Sequence, residues 1–206
     1  MRIYRDNAAS ETRAAYGAVL VEGLRGFEET RSLADDFEGL NERLELAADA
    51  RRERERLARR ATARLRIREF FADRAILALA AAADAAGVGE EILPRGDRGV
   101  WPATARAKLD RFWELVQRLR RCDALASWQP KLEAELAPLA ERVAEHERAR
   151  RDLEAASRDE LALRAEHARA IAGIIDRVKF AFPDDRARQR VVFPQADRRA
   201  VRSASR

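Results

Sequence analysis

The chain has 206 residues, a net charge of +5, 37% charged side chains and only 6% aromatic ones. Ala, Leu, Arg and Glu dominate, the profile of long helices, and so few aromatic residues argue against a β-sandwich or barrel. Residues 183–206 hold seven Arg against three Asp, so the body carries only +1, and the basic balance by itself is no argument for nucleic acid.

Helix signals begin near Asn7 or Ser10, either of which can cap. Tyr16, Leu20, Leu24 and Phe27 recur at three or four residues, and Leu33, Phe37, Leu40 and Leu44 continue the stripe. The stripe fails at Arg51 and Arg54, then returns as Ala58, Ala61, Leu65, Ala72, Ala75 and Leu79. Residues 87–102, with four Gly and two Pro, read as a connecting loop. Pro102 suits the first turn of the next helix, which carries Ala105, Leu109, Phe112, Leu115, Val116 and Leu119 and ends around Cys122–Ala126. Leu132, Leu136, Leu139 and Val143 open another long stretch. Ile171, Ile174, Ile175 and Val178 close it before Pro183.

The two halves share a plan. Shifted by 99 residues, Leu33, Phe37, Leu40 and Leu44 fall on Leu132, Leu136, Leu139 and Val143. Any two heptad segments rich in Ala, Arg and Glu align somewhere, so a duplication is not established by this match. Each half has an apolar arm, a charged middle and a second apolar arm. Residues 28–49 carry eight acids and two Arg, whereas 51–68 carry nine Arg and two Glu. A hairpin folded near residue 50 would lay these stretches side by side. Ser157-Arg158-Asp159-Glu160 has the form of a capping box, where a second turn is wanted. Against a turn near 50, no Gly, Pro or Asn lies between Leu46 and Arg60. The expected fold is therefore all-α: an elongated antiparallel helical bundle of four long helices plus one short one, over residues 1–182. The alternative is a long two-helix antiparallel coiled-coil hairpin closed by the 87–102 loop. Residues 183–206 are expected to be a basic, partly disordered tail, with a short helix capped by Asp184 or Asp185.

Candidate chemistry is sparse. His146 and His167 share one heptad stripe, and a turn at 156–157 would bring them face to face beside Glu145, Glu147 and Glu166. Two His with carboxylates can bind zinc or iron. A ferritin-like site, however, needs Glu-x-x-His pairs, which neither His has, so a polar seam with no metal or cofactor is expected. The Arg band at 51–68, including Arg51, Arg52 and Arg54, and the tail residues Arg198 and Arg199 are the candidates for nucleic acid or an anionic surface. No bulky aromatic punctuates the band before Phe70, as base stacking would want. Arg95-Gly96-Asp97 is an integrin-type tripeptide of chance character. Cys122 is alone, so no intrachain disulfide is expected. Met1–Asp6 has no apolar signal core, and the longest apolar run, Ala75 to Ala83, is too short for a membrane span. A cytoplasmic location is expected.

The run from Ile174-Ile175 through Phe182-Pro183-Asp184-Asp185 to Val192-Phe193-Pro194 resembles the endings of uncharacterised bacterial long-helix bundle proteins. There a final helix gives way to an Asp-bearing turn and a Phe-Pro before a basic tail. The resemblance covers about twenty residues and implies only the fold. The function expected by default is a non-enzymatic scaffold or protein–protein interaction bundle, with a homodimer among its forms. The alternatives are binding of nucleic acid or an anionic surface through the tail and the 51–68 band, and a metal-binding bundle.

Overall fold

The computed structural model describes residues 4, 7–94, 102 and 104–193. Among them six helices follow one another and no strand occurs: α1 (Ser10–Arg25), α2 (Arg31–Ala85), α3 (Gly89–Ile92), α4 (Ala105–Leu119), α5 (Trp128–Ala181) and α6 (Arg186–Val192). Short 3-10 turns, Glu28–Thr30 and Asp123–Leu125, precede the two long helices. No helix among the described residues is long and apolar enough to cross a membrane.

The all-α bundle expected from the stripes is present, but the turns expected near residues 50 and 156 are not. Both positions lie inside unbroken helix, 55 residues in α2 and 54 in α5. Arg51, expected to interrupt the seam, is instead accommodated: its Nε lies 2.5 Å from Glu160 of α5, whose side chain is only 8% exposed. Glu160 also accepts a hydrogen bond from Ser10 of α1. It therefore reaches across to α1 and α2 rather than back to Ser157. Arg43 pairs with Glu166 and Arg64 with Glu145, both at 2.8 Å. These pairs climb α2 as they descend α5, which is the antiparallel register. The counter-charges for the Arg-rich part of α2 thus include acids of α5, and no fold-back of α2 is needed to neutralise it.

The helices gather into two compact units, one holding residues up to Arg54 with those from Glu154 onward, the other Glu55–Leu153. In the terminal unit, α1, the start of α2, the end of α5 and α6 enclose Leu20, Leu24, Phe37, Leu40, Ile171, Ile174, Val178 and Phe182. In the central unit, the end of α2, α3, α4 and the start of α5 enclose Ile76, Leu79, Phe112, Leu115, Leu119, Leu132, Leu136 and Leu139. Trp113 and Trp128 pack against the second cluster as anchors.

The structure turns the sequence match into a repeat of four elements. Short helix, 3-10 turn, long helix and a short closing helix occur once as α1–α3 and again as α4–α6. Many buried residues correspond: Leu20, Val21 and Leu24 with Leu115, Val116 and Leu119; Ala72, Leu79 and Ala83 with Ile171, Val178 and Phe182; Ile92 and Leu93 with Val192 and Phe193. The closing helices dock alike. A Cβ on Gly23 would lie 2.2 Å from the Val192 carbonyl oxygen. At the matching position in the other unit, Arg118 donates to the Ile92 carbonyl at 3.0 Å. Helix α2 stops where Gly87 takes φ 75 and Val88 N–H returns to the Ala83 carbonyl at 2.9 Å, a turn that suits glycine. Helix α6 is the short helix expected in the tail, with the Asp185 side chain accepting from Arg188 N–H at 2.9 Å. The tail beyond Phe193 lies outside the described residues.

Each unit draws helices from both sides of the 95–100 connection. A protease site inserted there and cleaved in the native protein should leave the two halves co-eluting, with the helical circular dichroism retained. Halves that separate without denaturant would refute this division of the helices.

Candidate functional site

His146 and His167 both sit on α5, in the central and the terminal unit respectively, with continuous helix rather than the expected turn between them. Among the described residues no group of three or more His, Cys, Asp and Glu is placed to hold a metal.

His167 is nevertheless the centre of a buried polar nest in the terminal unit. Its ring is fully buried and packs at 5.0 Å from the Phe37 ring. Asn41 Nδ2 donates to the Ala14 carbonyl at 3.1 Å, which turns Asn41 Oδ1 toward His167 Nε2 at 3.0 Å. Nε2 must therefore carry the proton. The lone pair on Nδ1 then accepts from the Tyr4 hydroxyl at 3.0 Å. Arg13, 5% exposed, lies 4.5 Å over the Tyr4 ring and donates to the Ala8 carbonyl at 3.0 Å, which Arg164 also meets at 2.9 Å. Burial, aided by the Arg13 cation, lowers the His167 pKa to about 4. Tyr16 stands edge-on to Tyr4 at 5.3 Å. Its hydroxyl is buried with no hydrogen-bond partner among the described residues, and burial, then Tyr4, raises its pKa to about 12.

The internal repeat shows that this fold does not require such a nest. Where the terminal unit has Ser10, Gly17, Asn41 and Glu160, the matching positions of the central unit are Ala105, Phe112, Ala140 and Ala61. Gly17 is forced by the nest itself: a Cβ there would stand 1.8 Å from Asn41 Oδ1 and 3.1 Å from His167 Nε2. The spacing of the two His did not reveal these partners, because they come from three other segments of the chain. The only sequence signal was the polar substitution pattern between the two halves.

Acids pair with Arg51, Arg52, Arg59 and Arg64 of the band. Arg52 pairs with Glu11 at 2.9 Å and with Asp49, and Arg59 with Glu55 at 2.5 Å. Arg51 and Arg64 pair as described above, and Arg54 also has an interaction of its own. Arg198, Arg199 and Arg95-Gly96-Asp97 lie outside the described residues.

The band is followed by a feature the sequence reading missed. Ile67, Phe70, Phe71 and Leu77 are 57%, 55%, 47% and 68% exposed, and Ala78 and Ala81 beside them are also exposed. On a helix these positions share one face, opposite the face that Leu65, Ala72, Ile76 and Leu79 bury in the core. Arg74 lies in this stripe, 5.8 Å over the Phe70 ring. Here again the repeat provides a comparison. The matching residues of α5 are Glu166, Arg169, Ala170 and Asp176, so a bundle helix of this design has no structural need for two phenylalanines at these sites.

The fold and these sites define a class only: an all-α protein built from an internally repeated helical unit, with a buried polar nest and a bare apolar helix face among the described residues. No protein family, curated protein or solved structure matches the chain.

Two predictions follow from the nest. His167 is neutral in the folded chain, with a pKa near 4, and about 6.5 when unfolded. Its stabilising contribution is complete above pH 6.5. It is lost as the pH falls from 6.5 toward 4, because the unfolded chain binds a proton that the folded one refuses; the loss is roughly 2–4 kcal/mol. Urea midpoints over this range should fall more steeply for the wild type than for His167→Gln, and an NMR titration of His167 centred near 6.5 would refute the assignment. Gly17→Ala should cost about 2–4 kcal/mol by breaking the Asn41 amide contacts. The same change should cost much less in an Asn41→Ala background, a non-additivity that chemical denaturation can measure.

Proposed function

We propose that this chain is a non-enzymatic protein-interaction bundle that docks a partner helix on the outward stripe of α2 formed by Ile67, Phe70, Phe71 and Leu77. The observation that carries this reading is the exposure of four large apolar side chains on one helix face, at positions where the second repeat has Glu166, Arg169, Ala170 and Asp176. A contiguous apolar patch on an otherwise charged surface costs solubility, and such patches mark interaction sites. Aromatic side chains are the typical anchors of such a surface, and residues spaced by three, four and seven along a helix suit a second amphipathic helix. The nest of the terminal unit has a different role in this reading: it fixes one arrangement of α1, α2 and α5, because His167 has both ring nitrogens and Asn41 both ends of its amide engaged across these helices.

The test places the photocrosslinking residue p-benzoylphenylalanine at position 70, and for comparison at position 19, a 55% exposed valine of α1 outside the stripe. In the native host, irradiation should yield discrete protein adducts from position 70 and none from 19. Equal yields at the two positions, or none at 70, would dismiss the stripe as a docking face.

A further inference from the structure

The counterpart of the stripe in the terminal unit is a hole. Leu33, Phe37, Leu40 and Ile174 floor an open notch of about 300 Å³ between α2 and α5, with Asp36 and Arg177 also lining it. It is open because Ala170 and Gly173 stand where the central unit has Phe71 and Arg74. A Cβ built on Gly173 meets nothing within 4 Å. Glycine inside a helix costs about 1 kcal/mol relative to alanine, so the structure carries a destabilising residue where the only local effect is to leave space.

Resting on the reading of the α2 stripe as a docking face, we propose that its partner is a second copy of this chain, with Phe70 and Phe71 of one copy seated in the notch beside Gly173 of the other. Two observations support this pairing. The first is size: an apolar cavity of roughly 150 Å³ admits a benzene ring, so the notch has room for one phenylalanine ring and part of the next. The second is chemistry. The floor is aliphatic and aromatic, whereas the stripe carries Arg74, which has a ring contact but no acidic partner among the described residues. The notch presents Asp36 on an exposed position, for which no basic partner is found among the described residues. Seating the rings would bring this cation and this anion together. Because stripe and notch are different surfaces, a single contact between them is head-to-tail, and the pair so formed keeps one free stripe and one free notch.

Mixing variants tests this directly. Phe70→Ser/Phe71→Ser removes the knob and Gly173→Trp fills the hole; both act at exposed positions, and retained circular dichroism and melting temperature confirm the fold of each. By sedimentation velocity the wild type should associate with rising concentration, whereas each variant alone should remain monomeric. An equimolar mixture of the two variants should form a dimer that grows no further, because one intact knob meets one intact hole. As a second check that leaves the apolar surfaces untouched, Arg74→Glu and Asp36→Arg should each weaken wild-type association several-fold, and combined in one chain should restore it. A wild type that stays monomeric at hundreds of micromolar, a mixture no heavier than its parts, or either variant self-associating as the wild type does would overturn the pairing. Adducts from position 70 with some other protein would then leave the docking face standing without it, whereas the absence of adducts would remove both.

Discussion

A charge on the buried side of a helix must leave the core or meet a counter-charge, because burying it unpaired costs several kcal/mol. Arg51 meets one. Its contact with the nearly buried Glu160, itself bonded by Ser10, lets α2 and α5 pass their charged middles as continuous helix. Everything else about the architecture depends on that continuity. Two helices of 55 and 54 residues are long enough for each to serve in both units. Each unit then consists of a short helix, the adjoining part of its own long helix and the far part of the other one. Had either middle turned, each half would have closed on itself.

This interlocked plan is built twice from the same pattern, and the repeat separates what the fold needs from what it merely carries. Leu20, Val21 and Leu24 and their counterparts Leu115, Val116 and Leu119 are buried alike, because both short helices meet the same geometry of long-helix pair. The exceptions are the informative positions. Gly17 and Asn41 face Phe112 and Ala140 in the correspondence, so one unit fills its three-helix junction with a hydrogen-bonded imidazole and the other with a phenyl ring. On the outer surface the asymmetry runs the other way: Phe71 and Arg74 project from the central unit where Ala170 and Gly173 leave a notch in the terminal one. The proposed knob and hole thus arise on corresponding faces of the two long helices.

The nest adds specificity to one unit. His167 has both ring nitrogens engaged, Asn41 both ends of its amide, and Tyr4 lies under Arg13 while its hydroxyl bonds the imidazole. Any slip of α1 against α2 would leave several of these groups buried and unsatisfied, a larger penalty than the net stability each bond supplies. An apolar junction tolerates such slips more readily. The neutral imidazole is the part of this arrangement sensitive to acid, because a proton on Nδ1 would oppose the Tyr4 donor and lie near the Arg13 cation.

The sequence alone determined the fold class and the residues of the seam. Apolar spacing of three and four residues admits only helix, and Leu40, Leu44, Leu136 and Leu139 are buried as that spacing requires. It also determined the two-fold plan, visible in the match of Leu33–Leu44 with Leu132–Val143, and the capped helix after Pro183. Whether the charged middles turn was decided by tertiary structure. A run without Gly, Pro or Asn is locally compatible with helix, but Arg51 in a seam is affordable only if Glu160, more than a hundred residues away, arrives beside it. The separation of the two histidines followed from the same decision. The stripe at Ile67–Leu77 escaped notice for a related reason: periodicity shows that apolar residues share a face, not which of two faces the neighbouring helices cover. That depended on where α4 and α5 settle against α2, and only their packing left Phe70 and Phe71 facing outward.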